Sequence, residues 1–87
     1  MSTLHLVNRP SALASCLETA RDEDTILLLE DGVYAAAASD VDRPLHAIDV
    51  DVMARGLSRR LRENVTLASY EDFVRLVEDH QPVVSWR

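Results

Sequence analysis

Lysine is absent from the 87 residues, so all nine basic side chains are arginine. That gap removes a lysine Schiff base and a Walker-type phosphate loop, and it leaves Asp31 or Asp49 without the lysine that a phospho-acceptor receiver site needs. Cysteine occurs once, as Cys16, and a single thiol makes no internal disulfide. Glycine and proline are sparse, and no repeat or low-complexity tract breaks the chain, which points to ordered rather than disordered structure. Long hydrophobic runs are missing too: the stretches 26–29 and 33–38 fall far short of the ~20 residues a membrane helix needs. The first residues lack the charged and apolar parts of a secretory signal, so the expectation is a cytoplasmic protein with no membrane attachment. Positive charge is in deficit, with fifteen acidic residues and a net charge of −6. A protein that binds nucleic acid unaided needs a basic field to displace phosphate counterions, so direct nucleic-acid binding is not expected.

What is present fits one small domain over residues 1–87. At this length the surface buried on folding only narrowly offsets chain entropy, and burial against other subunits is a ready source of further stability. Residues 3–7 read as a first strand. The sequence Asn8-Arg9-Pro10-Ser11 offers capping side chains and a proline suited to a helix start, and Leu13, Cys16, Leu17 and Ala20 give a helix over 11–21 a one-sided apolar stripe. Residues 25–30 form an uninterrupted apolar stretch, as expected for a central strand covered on both faces in a parallel sheet. After the Asp31-Gly32 punctuation, 33–38 can form a short alanine-rich helix, and 39–44 a loop. A third strand at 45–48 leads to a helix capped by Asp49 or Asp51, with Val50, Met53, Ala54 and Leu57 on one face; Gly56 either ends it or is tolerated within it. A fourth strand at 65–68 precedes a helix capped by Ser69, with apolar positions Tyr70, Phe73, Val74 and Val77. Residues 83–86 supply a last strand. Alternating strands and helices imply an α/β fold, a small flavodoxin-like three-layer sandwich with a mostly parallel sheet of about five strands. Loops this short leave little material for a substrate pocket, which disfavours a free-standing enzyme.

Several stretches, in this order, resemble the DsrH/TusB family: Leu4-His5-Leu6-Val7-Asn8, Leu27-Leu28-Leu29-Glu30-Asp31-Gly32-Val33-Tyr34-Ala35-Ala36, Asp51-Val52-Met53-Ala54-Arg55-Gly56-Leu57, Tyr70-Glu71-Asp72-Phe73-Val74-Arg75-Leu76, and then a tryptophan, Trp86. The resemblance covers nearly the whole chain. It implies a DsrEFH-like fold and a place in a hetero-hexamer holding two copies each of three homologous small subunits, the others being TusC/TusD-like or DsrF/DsrE-like. Such a complex takes persulfide sulfur from a carrier protein and passes it on, towards tRNA wobble-uridine 2-thiolation in one branch and dissimilatory sulfur oxidation in the other. The resemblance places the main sulfur-accepting cysteine in another subunit, and Cys16 matches the position of an auxiliary one on the first helix.

Two readings of Cys16 stand side by side. It is the only residue through which this chain could carry a persulfide, and helical geometry sets it on the flank of the apolar stripe beside Ala12, Ser15 and Thr19, where it could be partly exposed or become so when a partner subunit moves. Free cysteine is equally a small apolar core filler, and neighbouring Glu18 opposes thiolate formation. The alternative function is therefore a purely structural subunit that never holds sulfur. Glu30, Asp31 and Gly32 read as a turn with glycine suited to unusual dihedrals. Arg55, Arg59, Arg60 and Arg62 form a basic cluster, read first as a solvated helix end and second as a dock for an acidic partner. His5, His46 and His80 lack metal-ligand spacing and read as structural; no cofactor is implied. Tyr34, beside a bare alanine face, and Trp86, close to the last residue, are the interface candidates.

Overall fold

The structure, a computed structural model, describes residues 2–38 and 40–87; Met1, and Ser39 at the start of the expected loop, lie outside the described residues. The apolar run that begins at Thr25 organises the rest. In β2 (Thr25–Leu28), Ile26, Leu27 and Leu28 have no exposed surface, because successive side chains leave opposite faces of a strand and both faces are covered. Each such burial stabilises the fold by about 2 kcal/mol. β1 (Leu4–Val7) and β3 (Leu45–Ile48) flank β2; β4 (Val65–Ala68) lies beyond β3, and β5 (Val83–Trp86) beyond β1. Every pairing is parallel, giving the order β4-β3-β2-β1-β5 and the expected α/β sandwich with its five-stranded sheet.

The two faces are covered unequally. Val7, Ile26, Leu28, Leu45 and Ala47 point towards α1 (Leu13–Thr19), a 3₁₀ turn (Glu30–Tyr34), α2 (Ala35–Ala38) and α3 (Asp49–Ala54), and share the larger core with Cys16, Val33, Ala36, Val52 and Leu57. Leu4, Leu27, Ile48 and Ala68 point the other way, where, among the described residues, α4 (Tyr70–Asp79) supplies the helical cover through Phe73 and Leu76.

Local chemistry explains where the helices begin and end. A 3₁₀ turn at Pro10–Ala12 leads into α1, and neither has a side-chain cap, so the capping expected from residues 8–11 is not used. α1 stops at Thr19 instead of continuing to 21, because the Asp24 carboxylate accepts the backbone N–H of Arg21 at 3.0 Å and draws the chain out of the helix. α3 ends on Gly56, whose φ of 66° permits a Schellman closure: Leu57 N–H bonds Val52 O at 3.1 Å and Gly56 N–H bonds Met53 O at 3.1 Å. The expected apolar face of this helix is corrected by that closure. Six residues have room for one core-facing position, Val52, and the turn folds Leu57 back onto the same core, leaving Val50 and Met53 exposed. α4 starts with a complete capping box, Asp72 N–H to Ser69 Oγ at 3.1 Å and Ser69 N–H to Asp72 Oδ2 at 2.9 Å. It carries two apolar stripes where one was expected: Phe73 and Leu76 face the sheet, while Tyr70, Val74 and Val77 are exposed.

Candidate functional site

Cys16 sits at the middle of α1 with no exposed surface, packed into the larger core with Ala12, Leu13 and Val7. The flank of the helical stripe is covered because α1 packs against β1, β5 and the Pro10–Ala12 turn, so a position beside the stripe is still interior. Burial pushes the thiol up to about 11; the nearby positive charge of Arg43 opposes this and Asp24 adds to it. At pH 7 a thiol of that pKa is thiolate about one part in ten thousand. In this conformation the sulfur is neutral and out of reach of a protein-sized donor.

The turn after β2 is built tightly. Glu30, and not Gly32, adopts the left-handed conformation, with φ 51°, and its N–H donates to Asp51 Oδ2 at 2.8 Å. Gly32 has a different reason to be glycine: a Cβ there would lie 2.0 Å from the Val7 carbonyl oxygen. Arg55 ties the turn to α3, with Nε donating to Asp31 Oδ1 at 3.0 Å and the guanidinium 6.0 Å from the centre of the Tyr34 ring. Tyr34 itself remains 44% exposed.

Trp86 finds cover in its own chain. β5 pairs with β1, bringing Trp86 level with Val7, and the half-buried indole packs on the larger core. Its Nε1–H donates to His5 Nδ1 at 3.0 Å, and His5 Nε2 meets Asp24 Oδ2 at 2.9 Å. Indole nitrogen can only donate, so Nδ1 must accept and the imidazole proton must sit on Nε2, pointing at the carboxylate. Asp24 also accepts the N–H of Thr3 at 2.9 Å through Oδ1. Burial alone would raise the Asp24 pKa, but the hydrogen bonds from Thr3, Arg21 and His5 outweigh it and hold the carboxyl well below the usual carboxylate range. Sequence reading missed this chain of contacts. The available signal was a histidine inside an otherwise apolar strand, which requires a polar partner once buried.

His80 is also engaged in structure. His80 Nδ1 donates to Leu76 O at 2.7 Å, so its Nε2 accepts from the Thr25 hydroxyl at 3.0 Å. Burial, assisted by His80, lowers the pKa of His46, with Asp72 opposing. Among the described residues no group of three or more histidine, cysteine or acidic side chains is placed to hold a metal ion. None of their helices is long and apolar enough to cross a membrane. Cys16, Tyr34 and Trp86 thus do not converge: the first is interior, the second lies on the rim after β2, and the third is pinned to β1.

Comparison with known proteins bears on the chain as a whole. Residues 8–83 match the family model described as DsrH-like protein. Protein TusB of Sodalis glossinidius is 43% identical over 82 residues, spanning 85% of this chain and 86% of that protein. Protein TusB of Yersinia pestis is 40% identical over the same length and coverage. Among solved structures, the crystal structure of the ychN protein from E. coli superposes with a TM-score of 0.72, covering 99% of this chain and all of that one at 14% identity, which establishes a common fold.

Proposed function

The chain belongs to the DsrH-like family, and from that premise we propose that it is a non-autonomous subunit of a cytoplasmic sulfur relay, folding as one unit over residues 1–87 and assembling with homologous small subunits. The observation that carries this reading is the 40–43% identity to TusB proteins over most of the chain. Burial of Cys16 favours the structural version, in which sulfane sulfur travels on a cysteine of a partner while this subunit completes the assembly. The exposed stripe of Tyr70, Val74 and Val77 supports assembly, because those side chains lie outward on α4, the helix that covers that face among the described residues. A hetero-hexamer with two copies of each of three subunits, fed by a sulfur-carrier protein and serving tRNA thiolation or sulfur oxidation, is the form we propose. Direct contact with nucleic acid is not required of it.

The test isolates the native assembly through this chain, identifies the other subunits, and records intact masses after incubation with a sulfane donor. TusC/TusD-like or DsrF/DsrE-like partners, with added sulfur on a partner and none here, are the expected result. A monomer that ignores such partners overturns the proposal, and a 32-Da gain (one sulfur, about 32 Da) lost in Cys16→Ser restores the carrier role.

A further inference from the structure

The segment 55–62 reads Arg-Gly-Leu-Ser-Arg-Arg-Leu-Arg, four arginines without an acidic residue, in a chain whose net charge is −6. Arg55 is accounted for by Asp31 and Asp51. Arg59, Arg60 and Arg62 are exposed, and among the described residues none of their side chains forms an ion pair, although the chain has fifteen acidic side chains that could have been used. They lie just past the end of α3, the solvated helix end that the sequence suggests, on a backbone that is held in place. The Schellman closure at Gly56, the bond from Arg60 N–H to Leu57 O at 2.9 Å and that from Arg62 N–H to Ala36 O at 3.1 Å hold their backbone against the core.

Beside this segment runs a groove of about 500 Å³ between α2 and the end of α3, lined by Tyr34, Ala37, Ala38, Arg55, Leu57 and Arg60. Its floor is apolar and low because α2 consists of alanines, and its Tyr34 wall is braced by the Arg55 guanidinium. An apolar floor with the unpaired Arg60 in its lining, and exposed Arg59 next to it in the chain, fits a peptide better than a phosphate backbone: the floor takes an aliphatic or aromatic side chain, and arginine pairs a carboxylate at the edge. Away from this short patch the acidic surface would repel a polyanion.

We infer that the groove is a docking site for an acidic segment of a partner protein, which seats an apolar side chain on Ala37, Ala38 and Leu57 and pairs its carboxylates with Arg60 and its chain neighbour Arg59. This goes beyond the relay reading and does not depend on it.

The probe is a fluorescein-labelled peptide in which a pair of leucines is flanked by glutamates, titrated with the full chain and followed by fluorescence anisotropy. Binding is expected that weakens as salt rises and falls at least about tenfold when Arg59→Glu and Arg60→Glu are combined. Ala38→Glu, which blocks the floor with like charge, is expected to produce a comparable loss. All three positions are exposed, so circular dichroism of the variants should match the wild type. Any of three results overturns the inference: unchanged affinity in both variants, equal binding of a peptide with serines in place of the leucines, or tighter binding of a uridine oligonucleotide abolished by the same substitutions. Copurification with sulfur-relay subunits would be unaffected by each of these outcomes.

Discussion

Asp24→Asn tests the buried polar chain that links Trp86, His5 and the start of β2. The carboxylate accepts three hydrogen bonds, from Thr3 N–H, Arg21 N–H and His5 Nε2–H, with side-chain exposure of 3%. Asparagine keeps one acceptor oxygen, suited to Thr3, and turns an N–H₂ towards the two donors that shared the other oxygen. Losing two charge-assisted bonds and leaving donors buried without partners costs about 3 kcal/mol. For a chain of this size, whose total stability is on the order of 4–13 kcal/mol, that lowers Tm by roughly 12–24 °C. Trp86 is the sole indole, so its fluorescence during urea or thermal unfolding reports on the affected contact directly. The pH dependence gives an independent check. A carboxyl whose folded pKa is depressed contributes stability that is complete above the unfolded value of about 3.9 and is lost as pH falls below it towards the folded value. Wild-type stability should therefore drop more steeply below pH ~4 than that of the variant. A loss under about 1 kcal/mol at neutral pH, or identical acid slopes for the two proteins, refutes the reasoning.

Gly32→Ala should destabilise by on the order of 3 kcal/mol or more, since the new Cβ meets the Val7 carbonyl at 2.0 Å, and urea midpoints will measure it. Gly56→Ala meets no atom within 4 Å and should cost only the strain of φ 66°, about 1 kcal/mol in the same assay. Cys16 should resist a water-soluble disulfide reagent in the native chain and react at once in urea, because burial both hides the thiol and pushes it up to about 11; prompt native labelling contradicts the placement. Ser69→Ala should cost about 1 kcal/mol by removing half of the α4 capping box, read from thermal melts.

The features legible in the sequence were those set by near neighbours. An unbroken apolar run identifies the central strand, Ser69 marks the start of α4, and Gly56 is one of two possible ends for α3. What the sequence hid depends on distant partners. Periodicity could not choose between the two apolar stripes of α4, because the choice belongs to the sheet that receives Phe73 and Leu76. Helical angles place Cys16 at an edge, yet β1 and β5, the latter from the far end of the sequence, pack against α1, and Cys16 joins their core. The meeting of residues 5, 24 and 86 exists only once β5 is known to lie beside β1. Likewise, the groove beside α2 exists only where Tyr34 and Ala38 meet Leu57 and Arg60, a meeting that spacing alone does not announce.

That strand order also sets a sequence of events during folding. β1 meets β2 across a single short crossover, but its other neighbour, β5, comes from the far side of nearly all the intervening chain. Loop closure over such a distance is slow relative to local pairing, so the β1–β2–β3–β4 portion can form while one side of β1 still waits with its backbone donors and acceptors bare. Until the last strand arrives, that open side adds a second unpaired edge to that of β4 and can pair with a foreign strand, and crowding a cell with this chain would test how quickly the vacancy is filled.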